Sequence, residues 1–421
     1  MQRLLVLGGG TAGTMVVNKL HRKLDPSRWQ ITVIDADDKH LYQPGFLFIP
    51  FGTYQVAQVV KPRRRFLPSG VELVFGEIDV VDPNACQVRL CDGRTLGYDH
   101  LIIATGTTPR PDQTPGMLGP QWRRSIFDFY TLDGAQALAN ALAGFDGGAM
   151  VVQVVDMPIK CPVAPLEFTF LAEAYFRRRG MRDRVELTYV TPLPGAFTKP
   201  IASAHLGSML DERKIALEPD FMVERINPET RTLISYDERE IPFDLLVTVP
   251  LNMGADYIAR SGLGDELNYV PVDKHTLLSK AYSNIFAIGD ANNIPTSKAG
   301  SVAHFEVDVF ARNFCEHAAG QPMSGRFDGH AQCFIESGDG RGMLIDFNYD
   351  TEPLAGSYPV PGVGPFGLLR ESVPNHWGKL AFRWVYWHAL LPGRPLPLPA
   401  HLSMVGKHRP PTTSQSAPMQ E

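Results

Sequence analysis

The chain has 421 residues, of which 44% are hydrophobic and 20% charged, so it is long enough for two or three globular domains. Its formal net charge of −5 gives no electrostatic case for binding nucleic acid. Five cysteines in so long a chain exclude a disulfide scaffold, and no metal site is predicted. No apolar run reaches the roughly 20 residues of a transmembrane helix, and the short N-terminal run leads straight into glycines, which predicts a first strand and no signal peptide.

The N-terminus carries a dinucleotide-binding pattern. Residues 3–7 predict a buried strand, and a glycine-rich turn and a helix follow it. Gly8 permits the tight turn, Gly10 lets a pyrophosphate approach the backbone, and Gly13 lets the helix pack closely on the strand. The start of that helix, which includes Thr11 and Ala12, offers free N–H groups to phosphate.

A second predicted strand ends with Asp35, 22 residues after Gly13. An acid at this place accepts hydrogen bonds from a ribose 2′-hydroxyl. Strand, turn, helix and acid together therefore predict a nucleotide site.

Two later segments identify the nucleotide as FAD and not NAD. They are predicted strands that end in Ala104-Thr105-Gly106 and in Gly289-Asp290. Both resemble signature segments of the FAD domain in the two-dinucleotide-binding flavoprotein superfamily, where the Gly-Asp segment brings a carboxylate to the ribityl chain. The next helix is predicted to begin near Gly300 with Ser301 as its N-cap, and its positive end favours the anionic reduced flavin.

The predicted fold class is α/β, with two Rossmann-like βαβ domains and a C-terminal module at the membrane interface. The predicted parts are the halves of the FAD domain at 1–110 and 246–320, a second Rossmann-like domain at 111–245, a quinone and membrane-interface module at 321–404, and a disordered tail at 405–421. Within the second domain we predict a strand at 149–155, a helix at 163–179, a strand at 185–190, a helix at 202–214 and β structure over 217–249.

The second βαβ unit lacks a glycine loop. Its first strand runs into Lys160-Cys161, where a loop for NAD(P)H is expected. A cysteine at a helix N-terminus beside a lysine is expected to have a lowered pKa and thiolate character, although a buried structural cysteine fits the position equally well. Cys333 lies in a predicted strand before a tight turn and taken alone belongs to the core. The remaining cysteines are interpreted as structural: Cys86, Cys91 and Cys315.

Several segments together resemble the sulfide:quinone oxidoreductase family, over essentially the whole chain. They are the first glycine loop, HLYQPG at 40–45, the Ala-Thr-Gly strand, PIKCPVAPLEFTFLAE at 158–173, the Gly-Asp segment, PTSKAGSVAH at 295–304 and CFIESGDG at 333–340. The resemblance implies FAD as cofactor and adds Gln43, Lys298 and Gly300 to the residues that bind it. Sulfide, a sulfur acceptor and a membrane quinone are the implied reaction partners, and a homo-oligomer is compatible with it.

The resemblance also implies a redox pair of Cys161 and Cys333. Sulfide attacks their disulfide and leaves a persulfide and a thiolate, and two electrons pass through FAD to the quinone. Glu167 matches a family acid that transfers protons, and a solvated helix-start glutamate is the alternative. His205 is a weaker acid–base candidate, with a surface or core histidine as the alternative. The third cysteine of some members is absent near 122–130, which argues against a long polysulfide bridge and a covalent flavin link there.

The segment Trp377–Trp387 is predicted to lie in the headgroup region of a membrane. Its aromatic residues alternate with basic ones, including Lys379 and Arg383, and its apolar run is too short to span a bilayer. Aromatic residues fall all round the segment, so packing on the flavin domain is the alternative. Phe334 and Phe382 are candidates for stacking on the quinone. The predicted location is peripheral, on the cell membrane or a membrane of the inner mitochondrial type.

Three other functions compete. A type II NADH:quinone dehydrogenase needs a glycine loop near 155–162, where the sequence VDMPIKCP has none. The flavin subunit of a flavocytochrome c sulfide dehydrogenase needs an export signal and a cytochrome partner. A non-catalytic FAD-binding redox sensor would reuse the fold without the reaction.

Overall fold

The computed structural model describes residues 1–396 and 398–408. Helices α1 to α8 cover Thr11–His21, Val56–Val59, Leu132–Gly144, Ala164–Arg178, Pro200–Glu212, Asp256–Arg260, Gly300–Ala318 and Val373–Val385. Strands β1 to β24 cover Gln2–Leu7, Trp29–Asp35, Lys39–Leu41, Val60–Pro62, Glu72–Phe75, Ile78–Asp82, Gln87–Leu90, Thr95–Gly97, His100–Ile103, Thr108–Pro109, Ile126–Phe127, Gly148–Val154, Val185–Val190, Ala216–Glu218, Val223–Asn227, Thr232–Ser235, Glu240–Pro242, Leu245–Val249, Asn252–Met253, Ile285–Ala287, Ala331–Gly338, Arg341–Phe347, Gly356–Val360 and Gly364–Leu368.

The first domain is built on a parallel five-stranded sheet in the order β20-β9-β1-β2-β5. Its central strands are continuous apolar runs because helices cover both faces of such a sheet. Leu4 to Leu7 of β1 are almost completely buried, and α1 and α7 pack against each other. Since β9 pairs with β1 and β20 pairs with β9, all in parallel, the Ala-Thr-Gly and Gly-Asp segments lie with the glycine turn at the carboxyl edge of the sheet.

The second domain has its own parallel sheet, in the order β11-β18-β12-β13-β14. Helix α4 follows β12 and leads into β13, which gives the predicted βαβ unit. The predicted domain boundary at 246 is wrong, because β18 runs from Leu245 to Val249 and pairs with β12 inside this sheet.

The C-terminal module is a four-stranded sheet in the order β21-β22-β24-β23. Strand β21 packs against both α4 and α8. This arrangement brings the strand that carries Cys333 to the helix that begins just after Cys161.

Part of the tail predicted to be disordered is ordered. Lys407 is buried and donates from Nζ to Asp346 Oδ2 at 2.6 Å. Its backbone forms an isolated antiparallel β-bridge with Gly356. The prediction for 405–408 is therefore wrong, while residues 409–421 lie outside the described residues. None of the described helices combines the length and the hydropathy that crossing a bilayer requires.

Candidate active site

A cavity of about 290 Å³ lies where the glycine turn, the cysteine loop and the C-terminal module meet. Most residues predicted to bind a cofactor line it: Gly8, Gly10, Thr11, Ala12, Asp35, Gln43, Ala104, Thr105, Gly106, Gly289, Asp290, Lys298 and Gly300. Cys161 and Glu167 also line it. The structure thus brings residues from distant parts of the chain to one cavity.

The glycine turn leaves space for a phosphate only at Gly10. A Cβ at Gly13 would lie 1.9 Å from the Gly8 carbonyl oxygen, so Gly13 is required for close packing of helix on strand. Gly8 has a φ of +92°, which favours glycine. A Cβ at Gly10, by contrast, would meet no atom within 4 Å. The open side of this turn fits a pyrophosphate at the start of α1.

Asp35 lies at the end of β2 with its carboxylate already held in place. Its Oδ2 accepts a hydrogen bond from the Gly9 amide at 2.7 Å and forms an ion pair with Arg63 Nη1, also at 2.7 Å. Burial raises the pKa of Asp35, and Arg63 opposes this shift. The position fits an acid that accepts from a ribose. Arg63 also lines the cavity, which was not predicted because it lies in a run of three arginines typical of a surface.

Tyr386 joins the C-terminal module to the nucleotide turn. Its hydroxyl lies 2.7 Å from Thr11 Oγ1 and 2.8 Å from His40 Nε2. Burial lowers the pKa of His40 to about 3, so its ring is neutral. This contact was not predicted, because nothing in the sequence near Tyr386 marks it as a neighbour of residue 11.

The Gly-Asp segment contains a network of buried charges. Lys298 Nζ donates to the backbone oxygens of Asp290 at 3.1 Å and Asn292 at 2.7 Å. Burial lowers the pKa of Lys298 to about 8 and raises the pKa of Asp290. The Lys298 carbonyl accepts from the Cys161 amide at 2.6 Å, so this segment also fixes the cysteine loop to the first domain.

Cys161 and Cys333 are partly buried free thiols, and Cys333 lies close enough to Cys161 to raise its pKa. Burial raises the pKa of Cys333 to about 11 and the pKa of Cys161 well above its usual range. The predicted low pKa of Cys161 is therefore wrong, because desolvation and nearby Glu167 outweigh the helix start. Cys161 also adopts a positive φ of 46°, a strained conformation for a residue with a side chain.

The first turn of α7 lies against Cys333. Its N-cap is Ala299, which makes no side-chain cap, so the prediction of Ser301 as N-cap is wrong. Ser301 is the second residue of the helix, and its nearby hydroxyl group lowers the pKa of the Cys333 thiol. The serine therefore lies near one of the two thiols.

Glu167 is completely buried in the first turn of α4 and not solvated. Its Oε1 accepts from Lys379 Nζ at 2.6 Å and from the Glu336 amide at 2.8 Å, while Oε2 has no hydrogen-bond partner among the described residues. Lys379 also donates to the Phe334 carbonyl at 2.9 Å. Its ammonium group lowers the pKa of both cysteines, against the larger effect of burial.

A second buried pair lies beside the first. Both carboxylate oxygens of Glu336 lie 2.9–3.0 Å from His376 Nδ1. Burial raises the pKa of Glu336 to about 7, although His376 and Lys379 oppose the shift. Sequence analysis missed Lys379, Glu336 and His376 as members of one polar network.

Five predicted residues are not part of the cavity lining: Gly13, Cys333, His205, Phe334 and Phe382. Gly13 and Cys333 are described above, and the other three lie as follows. His205 lies on α5, which packs against β14 in the second domain. Phe334 makes an edge contact with Phe366 at 5.3 Å between ring centroids, and Phe382 lies 6.4 Å from Tyr42.

Helix α8 has one exposed apolar stripe. Val373, Trp377 and Trp384 are 46%, 62% and 65% exposed, and their spacing places them on one face. Phe382 lies near the opposite side of the helix and contacts Tyr42, so aromatic residues occur on more than one side of α8, as predicted. Lys379 projects from the opposite side of the helix and donates to Glu167, so that side packs against the protein.

A Rossmann-type glycine turn, a Gly-Asp segment at the same sheet edge and a thiol pair in a second βαβ domain define a flavoprotein of the disulfide oxidoreductase class. Residues 2–154 match the family model described as pyridine nucleotide-disulphide oxidoreductase. The predicted α/β fold class is confirmed.

Over nearly its whole length the chain is homologous to sulfide:quinone oxidoreductases, which confirms the predicted resemblance. It is 26% identical over 398 residues to the mitochondrial sulfide:quinone oxidoreductase of Mus musculus, covering 93% of this chain and 86% of that protein. The crystal structure of the Aquifex aeolicus enzyme has a TM-score of 0.78 at 19% identity, with 94% and 92% of the two chains covered. The predicted cofactor, FAD, is that of these flavoproteins, and the cavity fits it.

A type II NADH:quinone oxidoreductase of Staphylococcus aureus is also similar, at 23% identity over 380 residues, covering 84% of this chain and 91% of that protein. The two kinds of relative differ in the electron donor that their names state.

Proposed function

We propose that the protein oxidises sulfide to sulfane sulfur through Cys161 and Cys333 and passes two electrons by way of FAD to a membrane quinone. One observation carries the proposal. At the place where a second glycine loop would bind a nicotinamide, the chain has Cys161, which lies with Cys333 against Glu167 and Lys379.

The proposed cofactor residues divide by the part of FAD that they suit. The glycine turn and the start of α1 suit the pyrophosphate, and Asp35 suits a ribose. Asp290, Lys298 and the start of α7 suit the ribityl chain and the flavin ring. When bound, FAD supplies a two-electron acceptor that is reoxidised by quinone.

The proposed thiol chemistry begins from a Cys161–Cys333 disulfide. Hydrosulfide attacks one sulfur, so a new S–S bond forms, the bond between the cysteines breaks, and a persulfide and a thiolate result. A second sulfur nucleophile then removes the sulfane sulfur. Both cysteine sulfurs are held in the disulfide, so the attacking nucleophile is the incoming hydrosulfide. Burial disfavours the thiolate that is released, and Lys379 stabilises it.

Glu167 is the proposed proton acceptor. Its Oε1 is occupied by Lys379 and the Glu336 amide, which leaves the unpartnered Oε2 on the side chain that lines the cavity. Hydrosulfide loses one proton as its sulfur is oxidised, and Oε2 is placed to take it up. Lys379 holds the carboxylate in position for this transfer.

The proposed quinone approach is through the C-terminal module. The exposed stripe of α8 has the aromatic composition of an interfacial helix, so we propose peripheral membrane association there. Phe334 and Phe382, both half-buried and close to α8 or on it, remain the candidates for contact with the quinone ring.

An anaerobic titration of the holoprotein tests this function. We expect sulfide to bleach the flavin absorbance within the mixing time of a rapid experiment, and NADH to leave it unchanged. Bleaching by NADH and not by sulfide would favour the dehydrogenase function of the Staphylococcus aureus relative. No bleaching by either donor would favour a redox sensor.

A further inference from the structure

Three cationic side chains form a cluster beside α8. Lys61 lies in β4, Arg65 lies in the turn that follows, and Arg383 lies on α8. All three lie around the Trp387 ring: Lys61 is over it, Arg383 is one helical turn before it, and Phe66, next to Arg65, stacks on it at 5.1 Å between ring centroids. Burial lowers the pKa of Lys61, and repulsion from Arg65 and Arg383 lowers it further. We call this group the cation cluster.

Aromatic rings support two members of the cluster. Lys61 Nζ lies 4.5 Å above the centroid of Trp387, and the guanidinium of Arg383 lies 4.3 Å above that of Tyr54. Such contacts hold the long side chains in place without neutralising them. Arg383 Nη1 is also buried and has no hydrogen-bond partner among the described residues.

The cluster lacks acidic partners in the part of the chain that the structure describes. In the same run of sequence, Arg63 pairs with Asp35 and Arg64 pairs with Asp38. Lys61, Arg65 and Arg383 form no ion pair with any described residue. Three cations that repel one another and lack an acid are a site for an external anion.

The cluster borders the exposed stripe of α8. Arg383 directly precedes Trp384 and lies about 100° round the helix from it, at the edge of the stripe. Trp387, under Lys61, is buried and is not part of the stripe. Tryptophan side chains prefer the headgroup level of a bilayer, and lysine and arginine side chains reach headgroup phosphates from the same depth. An anion held by the cluster would therefore lie at headgroup height when the stripe is in the membrane.

We propose that the cation cluster binds the phosphate of an anionic phospholipid headgroup. This inference rests on the proposed membrane association and adds a lipid preference to it. A phospholipid is favoured over free phosphate because it has an apolar part as well as a phosphate. The exposed stripe of α8 can contact the apolar part while the cluster binds the phosphate.

The test uses the FAD-loaded protein and sedimentation with vesicles of phosphatidylcholine, with and without phosphatidylglycerol. Because each basic residue near the surface contributes about 1 kcal/mol, we expect roughly 100-fold tighter binding to the anionic vesicles at low salt. The variant Lys61→Gln/Arg65→Gln/Arg383→Gln should bind both kinds of vesicle equally. The control Arg124→Gln/Lys280→Gln/Arg312→Gln removes the same charge from exposed sites elsewhere and should keep the preference.

The outcomes separate the two proposals. If the wild type binds both vesicles equally, or if the cluster variant keeps the preference, the headgroup site is overturned while membrane association stands. If the wild type binds neither vesicle, membrane association itself fails. Loss of the preference in the control variant would show a general charge effect and would also overturn the site. Inorganic phosphate that displaces the wild type from anionic vesicles more effectively than chloride at equal ionic strength would assign the cluster to free phosphate.

Discussion

Lys379 on α8 donates to Glu167 on α4 at 2.6 Å, across a separation of 212 residues. The pair connects the helix that carries the exposed tryptophans to the turn that follows Cys161. Both side chains are withdrawn from solvent, at 12% and 0% exposure. The C-terminal module therefore contributes a residue to the candidate active site.

Removing one member of this pair is expected to destabilise the folded protein strongly. The variant Lys379→Met leaves the carboxylate of Glu167 buried without its cation, and we expect the free energy of unfolding to fall by about 3–5 kcal/mol. The double variant Lys379→Met/Glu167→Gln should recover most of this loss, because no buried charge is left unpaired. Urea titrations of the single and double variants measure the coupling, and strictly additive losses would contradict it.

The two glycines of the nucleotide turn should respond differently to alanine. Gly13→Ala places a Cβ against the Gly8 carbonyl, so we expect loss of thermal stability even without cofactor. Gly10→Ala meets open space, so the fold should be unchanged while FAD binding weakens. Thermal melts of the cofactor-free protein and the flavin content per chain distinguish these effects. Equal loss of stability in both variants would show that the space at Gly10 is not needed for phosphate.

Glu336 should make stability depend on pH in a definite direction. Because burial raises its folded pKa to about 7 from an ordinary 4.5, the folded protein keeps a proton that the unfolded chain loses between these values. The protonated Glu336 side chain therefore adds about 3 kcal/mol to the free energy of unfolding. This stabilisation is fully present below pH 4.5 and is lost as the pH rises through 7.

The variant Glu336→Gln checks this direction. It cannot titrate, so the stability of the wild type relative to the variant should decline as the pH rises. Parallel stability curves for the two proteins between pH 5 and 8 would contradict a raised pKa.

The exposed tryptophans should matter for membrane binding and not for the thiol reaction. We expect Trp377→Ala/Trp384→Ala to weaken binding to phosphatidylcholine vesicles by at least about tenfold per tryptophan, from the apolar area that each buries. Flavin bleaching by sulfide should stay at the wild-type rate. An exposed tyrosine away from α8, changed in Tyr236→Ala, is the matched control. Unchanged vesicle binding by the tryptophan variant would show that another surface of the protein contacts the membrane.

Local sequence patterns predicted much of the site. The glycine spacing, Asp35 and the Gly-Asp segment are each set by a strand and the turn that follows it, so they could be located without the fold. Arg63, Tyr386 and Lys379 could not, because their partners lie 28, 375 and 212 residues away, respectively, and are reached only after the sheets assemble.

The error over Cys161 has the same origin. Its neighbours in sequence, Lys160 and a helix start, indicate a thiolate. Lys160 instead donates to Gln43 at 2.9 Å, and the packing of β21 against α4 buries the thiol beside Glu167. The thiol's pKa therefore depends on tertiary contacts that the local pattern does not contain.

Peptide mapping of the oxidised holoprotein tests the central claim most directly. After alkylation without reduction and proteolysis, the account predicts one peptide pair joined through Cys161 and Cys333, while exposed Cys91 is alkylated as an internal control. Anaerobic addition of sulfide should break the link and leave an extra sulfur on one of the two cysteines. A protein whose flavin is reduced by sulfide while Cys161 and Cys333 are never linked, or whose Cys161→Ser and Cys333→Ser variants are still reduced at the wild-type rate, would contradict the account.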